Sequence, residues 1–313
     1  MIGPLASLGS AACWATASLL FARVGRSTPA AAMNFLKCVI ALVLMQLTLI
    51  VSGSLPWPLQ APTTTLMWLA ASGLVGLATG DTLYFLALLR MGPRRTLLVA
   101  SLAPVITTLS GIVILGEAMT LQRLVGTALT IGGVYWVISE RSPGAPPPAA
   151  AAPAAVAPDA AADDERRRQR AGVLFALGAA VCQATGQLFL KAAGDDCSAL
   201  EMSVVRLTAG MMGIALQLVL LRQVTTVFIP FRTTASAVTM AAAAILGTYA
   251  GVWLMNVGIR LSPVGLASTL SSTSPIFVLP LAALFLGERL SVRAIAGAVV
   301  AVAGVALLVG GAS

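Results

Sequence analysis

Histidine is absent from these 313 residues, and Asp and Glu together number only 11. Metal sites and most acid–base catalysis therefore have little to be built from, and neither a metal nor a cofactor is expected. Charged residues make up 10% of the chain, against about 25% in a soluble domain whose surface must stay wetted. Lipid must be the solvent for most of the molecule. Cysteine is scarce as well: Cys13, Cys38, Cys182 and Cys197 are the only four, and three lie in apolar stretches. No disulfide framework follows from them. The net charge of +8 is read as the basic excess that sets membrane topology, not as a nucleic-acid surface.

What is abundant is apolar sequence, at 58% of residues. Crossing a hydrocarbon layer about 30 Å thick takes roughly 20 apolar helical residues, because every backbone N–H and C=O must be paired within the segment. Spans are predicted near 4–22, 31–52, 65–89, 96–115 and 122–139, and again near 172–192, 201–221, 236–258, 264–286 and 292–310. Turns are expected at Ser27-Thr28-Pro29, Pro56-Trp57-Pro58, Met91-Gly92-Pro93 and Ser262-Pro263. Residues 142–170 are Pro/Ala-rich, then acidic, then basic at Arg166-Arg167-Arg168-Gln169-Arg170. They read as a disordered linker between a first five-helix unit, 1–141, and a second, 171–313.

The two units are copies. At an offset of 169, Gly9 meets Gly178, Cys13 meets Cys182, Ala15-Thr16 meets Ala184-Thr185, and Lys37 meets Arg206. At 170, Arg90 meets Arg260 and Pro93 meets Pro263; at 171, Pro104 meets Pro275 and Gly116-Glu117 meets Gly287-Glu288. The match also makes the first segment a structural helix, not a cleaved signal peptide. Five helices per copy is an odd number, so the second copy enters the membrane from the opposite side. The fold class expected is an all-α membrane protein of ten transmembrane helices in two inverted five-helix repeats. Many secondary carriers are built this way, with a midplane site and alternating access.

The run Pro104…Gly116-Glu117…Gly126…Gly132-Gly133 and its echo Pro275…Gly287-Glu288-Arg289…Gly297…Gly304 resemble the EamA family of the drug/metabolite transporter superfamily. The resemblance covers the chain outside the linker, and Lys37 and Arg206 early in the second helix of each unit fit its pattern. It implies a ten-helix carrier of amino acids, other metabolites or drugs, often an exporter, multi-pass in the cell (inner) membrane, as monomer or homodimer. It also implies both termini inside.

The arginines point the other way. Setting Lys37 and Arg206 aside from the 19 basic residues leaves 17, of which Arg123, Lys191 and Arg260 lie on one side and 14 on the other. Discounting the five at Arg141 and in the linker leaves nine against three. The positive-inside rule then places the loops after spans 1, 3, 5, 7 and 9 in the cytoplasm and both termini outside.

Polar residues within spans are costly in lipid and carry the functional expectations. Asp81 is the only acid well inside a span, with Tyr84 three residues on along a similar face. It serves either as a proton relay or partner for a cationic substrate, or as a satisfied ion pair with Lys37. Lys37, which shares a face with Asn34, and Arg206 either line an anion-attracting mouth or snorkel to the interface. Tyr249, Trp253 and Asn256 form a stripe of span 8; Trp14 in span 1 and Gln183 and Gln187 in span 6 make shorter ones. These either line a cavity for amphipathic metabolites or hydrogen-bond between helices. Pro104 and Pro275 are expected to bend spans 4 and 9, and Glu117 and Glu288 to cap the helices that follow.

No catalytic constellation is present in the sequence, so an enzyme is not expected. Small-multidrug-type proton antiporters need a carboxylate midway along the first span, where this chain has Cys13-Trp14 and Cys182-Gln183. That mechanism requires Asp81 as substitute. A receptor or scaffold would lack a continuous midplane cavity, whereas a carrier has a small-molecule partner, lipid around it and protons as a candidate coupling ion.

Overall fold

A computed structural model of the chain describes residues 2–53, 61–100, 102–116, 120–139, 158–274, 276–277, 281 and 292–310. Among these residues the secondary structure is entirely helical. The first unit runs α1 (Ile2–Val24), α2 (Ala30–Val51), α3 (Thr63–Ser72), a π-helical segment (Gly73–Gly80), α4 (Asp81–Ala100), α5 (Ala103–Leu115) and α6 (Leu121–Ser139). Then come α7 (Pro158–Ala192), α8 (Ala199–Leu220), a 3₁₀ segment (Val224–Arg232), α9 (Thr234–Ala243), a second π segment (Ala244–Ala250), α10 (Gly251–Leu261), α11 (Val264–Ser271) and α12 (Val292–Gly310).

Six helical stretches are long and apolar enough to cross a bilayer: Ile2–Val24, Ala30–Val51, Thr63–Arg90, Gln169–Ala192, Ala199–Leu220 and Thr234–Leu261. Shorter apolar helices lie at Val105–Ile114, Leu124–Gly133 and Ile295–Leu307. Large apolar side chains such as Val51, Val113, Leu174 and Leu220 face outward, as lipid-facing residues do. The protein is a multi-pass membrane protein.

The pairing of helices across the two units is regular. Helix α1 packs on α10 and α7 on α4; α2 packs on α8, α5 on α11, and α6 on α12. Small residues set the closest approaches. At Gly73 a Cβ would collide with the Arg206 backbone, and Gly186 abuts Gly76 so closely that its own Cβ would meet the Gly76 backbone at 2.9 Å.

Both π segments sit in the same place in their units, beginning at Gly73 and at Ala244, which the 171 offset superposes. A π turn leaves carbonyls off the helical ladder, and lipid offers them nothing. Side-chain amides supply the donors. Gln183 donates to the Gly76 carbonyl at 3.4 Å, Asn34 to Leu77 at 2.9 Å, and Gln217 to Ala78 at 3.4 Å. At the end of the second segment Ser10 donates to the Gly251 carbonyl at 2.8 Å.

Four expectations are corrected. The Met91-Gly92-Pro93 turn is absent: α4 continues to Ala100, held along α7, with the Arg90 guanidinium stacked 4.4 Å from the Phe175 ring centre. Tertiary packing outweighs the local breaker. Residues 158–170, expected as part of the linker, belong to α7, where the Ala-rich, charged sequence has good helix propensity; residues 142–157 lie outside the described residues. Pro104 does not sit within one continuous span 4: α4 ends at Ala100 and α5 begins at Ala103, with the proline in its first turn, where its missing N–H costs nothing. Span 9 is not continuous from 264, since α11 stops at Ser271 and Ser272 caps it. Pro56-Trp57-Pro58, Pro275, Glu117 and Glu288, with the caps and bend expected of the last three, lie outside the described residues.

Candidate functional site

Lys37 and Arg206 define the interior. Each is the eighth residue of its helix, counting from Ala30 and Ala199, and so stands about 10 Å in from the helix start. Neither snorkels to the interface, and of the two only Arg206 lines the cavity described below. Lys37 is 0% exposed and Arg206 4%. The reason is geometric: small residues bring α3 and the π segment against α8, and the side chains are enclosed where those helices cross.

The Lys37 ammonium forms an ion pair with Asp81 Oδ2. Two ring faces close around it, with Trp14 at 5.6 Å and Phe85 at 5.4 Å from centroid to Nζ. The second oxygen of Asp81 accepts from Gln183 Nε2. Asp81 starts α4 directly after the π segment, so the bulge aims the carboxylate inward. Both its oxygens are thereby occupied.

Arg206 has a different partner. Its Nη1 donates to Asn256 Oδ1, and Asn256 Nδ2 in turn donates to Ser203 Oγ at 2.6 Å. Nε of Arg206 is buried without a hydrogen-bond partner, as are the Tyr84 hydroxyl and Gln187 Oε1. Among the described residues no carboxylate lies within ion-pair distance of Arg206.

These groups surround a cavity of about 200 Å³, room for roughly seven waters at about 30 Å³ each. Its walls come from both units. Trp14, Asp81 and Tyr84 contribute from the first, and Gln183, Gln187 and Arg206 from the second. Trp14 and Tyr84 stack with centroids 6.1 Å apart, forming one aromatic side. A cluster of hydroxyls on and after α11, including Ser268, Ser271 and Ser274, faces in as well; the sequence reading missed it, although the hydroxyl-rich run Ser268-Thr269-Leu270-Ser271-Ser272-Thr273-Ser274 is the signal that could have found it.

The structure brings these six candidates together and sets five behind them. Asn34 serves the Leu77 carbonyl and Thr82 Oγ1, each at 2.9 Å, and Lys37 holds Asp81 from behind. Of the Tyr249–Trp253–Asn256 stripe none lines the cavity. Tyr249 shares a hydrogen bond with Thr48 at 2.8 Å and stacks on Trp253 at 6.1 Å, facing α2, while Asn256 positions Arg206. The two rings keep their i, i+4 contact, and the whole stripe faces α2 and α8 instead of the cavity. All four cysteines are free.

The arrangement is a two-walled, mostly apolar chamber carrying a few polar groups inside an apolar helix bundle, suited to holding a small amphipathic solute away from lipid. Comparisons with known proteins agree. A family model described as the EamA-like transporter family matches residues 1–139 and 170–310. No curated protein matches the chain. A solved structure described as the crystal structure of a protein aligns over 99% of this chain and 97% of its own with a TM-score of 0.70. At 18% identity that likeness shows a shared fold. With the family model spanning both units, the chain belongs to the EamA-like transporter family of the drug/metabolite transporter superfamily, whose members are transporters and not enzymes.

Proposed function

We propose that the protein is a secondary, alternating-access carrier that exports small metabolites, amino acids and related compounds, across the cell (inner) membrane. One observation carries this reading: a single cavity walled by both units contains the chain's sole intramembrane acid, Asp81. A chamber that two units share opens to one side or the other when the units rock.

The ten-span, inverted-repeat architecture belongs to this proposal. Exchanging the units maps several helix pairings onto themselves: α1 on α10 becomes α7 on α4, and the α2–α8 and α6–α12 pairs exchange partners internally. The paired π segments support the same symmetry. Rotation of about 180° about an in-plane axis is expected to lay Lys37 over Arg206 and Glu117 over Glu288. Efflux from metabolite-loaded proteoliposomes tests transport, and liposomes that retain every metabolite class would favour a receptor or scaffold.

Coupling to protons is favoured by the position of Asp81 in the cavity wall, ion-paired and adjacent to the π segment. Because a lone Asp81→Asn change strands Lys37, the pair-neutral variant K37M/D81N is the cleaner probe. Its flux is expected to lose dependence on an imposed pH gradient. Flux that still follows the gradient would remove Asp81 from the coupling path and with it the multidrug-antiporter variant of the mechanism.

A further inference from the structure

Charge around the cavity does not balance. Of the residues lining it only Asp81 and Arg206 are charged. Asp81 is turned to Lys37 through Oδ2 and to Gln183 through Oδ1, so its charge reaches Arg206 only at longer range, and among the described residues no carboxylate pairs directly with that guanidinium. Of the chain's 11 acids, the other ten lie in loops, at span ends or in the 140–165 region. The guanidinium is held in place by a neutral amide, Asn256, and its Nε has no partner. A cation fixed inside a span without a counter-charge is costly. Arginine's planar fork, always protonated, matches carboxylate and phosphate oxygens in pairs, and the mostly apolar walls beside it favour the singly charged carboxylate, which costs less to desolvate than a phosphate.

We propose that Arg206 is the anchor for the carboxylate of the transported solute, and that the substrate class is small amphipathic monocarboxylates. This inference rests on the transport reading and names the solute for the same cavity. The remaining walls specify the rest of the ligand. Leu77, Val252 and Met255 with the Trp14 ring accept an apolar body. The unpartnered Tyr84 hydroxyl can donate to a 2-oxo or 2-hydroxyl oxygen, and the Gln187 carbonyl oxygen can accept from a hydroxyl or amino group. At about 200 Å³ the cavity matches a small solute. Asn256, fixed by Ser203, is the positioning residue that keeps the guanidinium turned to the chamber.

The test is equilibrium binding to the purified full-length protein in detergent, with 4-methyl-2-oxopentanoate and its methyl ester as probes. The ester keeps shape and apolar body and removes the charge. Wild type is expected to bind the acid about tenfold or more tighter than the ester. In R206Q that preference is expected to vanish, and in R206K to survive in part. Equal binding of acid and ester by wild type overturns the proposal, as does a tenfold preference retained in R206Q. A series of monocarboxylates from lactate to phenylpyruvate of which none binds overturns it as well. Should R206Q fail to fold, the wild-type comparison and R206K decide. Carboxylate binding without flux in proteoliposomes would sink the carrier reading and leave the Arg206 assignment standing. Flux confined to neutral or cationic solutes would do the reverse.

Discussion

Lys37 and Arg206 occupy the same eighth position of α2 and α8, yet only Lys37 has an acid partner. The two units thus share a scaffold and differ in charge at its centre. In the first unit the cation is neutralised by Asp81; in the second it is held by Asn256. That asymmetry leaves one positive charge facing the cavity.

Breaking the Lys37–Asp81 pair from either side leaves a buried charge alone. D81N and K37M are each expected to destabilise by about 3–5 kcal/mol, and the double variant to recover most of the loss. Thermal melts of the detergent-solubilised proteins give the double-mutant cycle. Losses that simply add would mean that the two groups do not act as a pair.

Helix crossing at Gly73 is similarly intolerant. A methyl there would collide with the Arg206 backbone, whereas Gly132 has nothing within 4 Å of its added Cβ. G73A is expected to cost about 1–3 kcal/mol by forcing the π segment off α8 and to weaken solute binding through Arg206. G132A is expected to be neutral or slightly stabilising, since alanine is the better helix former. Equal melting temperatures for the two variants would remove close backbone packing as the role of Gly73.

Lys191 ends α7 with its ammonium donating to three carbonyls, those of Ile259 at 3.0 Å, Arg260 at 3.4 Å and Ser262 at 3.2 Å. It satisfies the terminal carbonyls of α10 and sits at the negative end of that helix. K191M is expected to cost about 1–3 kcal/mol, the penalty of stranded carbonyls, while K191R loses less. Limited proteolysis near residues 260–264 is the second readout, and unchanged protection there would argue against the cap.

Topology separates the arginine count from the family habit. A C-terminal fusion is expected to be active as a periplasmic phosphatase and dark as a fluorescent protein that folds only in the cytoplasm. The opposite pattern would mean that the nine-against-three bias does not set orientation in this chain.

Membrane residence, the two copies and the family were legible in the sequence, because hydropathy and repetition are linear properties. Gly116-Glu117 and Gly287-Glu288 at one offset suffice to signal duplication, and a deficit of charge to signal lipid. The sequence also marked Asp81 and Arg206, since an ionised group inside an apolar run stands out in one dimension. What tertiary structure decided was which polar residue serves the solute and which serves the backbone. Asn34, Gln183 and Gln217 look alike in sequence, and all three cap π-segment carbonyls, yet only Gln183 also faces the cavity. Tyr249 and Trp253 share a helical stripe with Asn256, but α2 claimed the first through Thr48 and α8 claimed the last through Arg206. Pro93 carries a turn signal that the packing of α4 on α7 overrides. In lipid every backbone carbonyl must find a donor, and the nearest donor is set by how helices cross, which no single segment encodes.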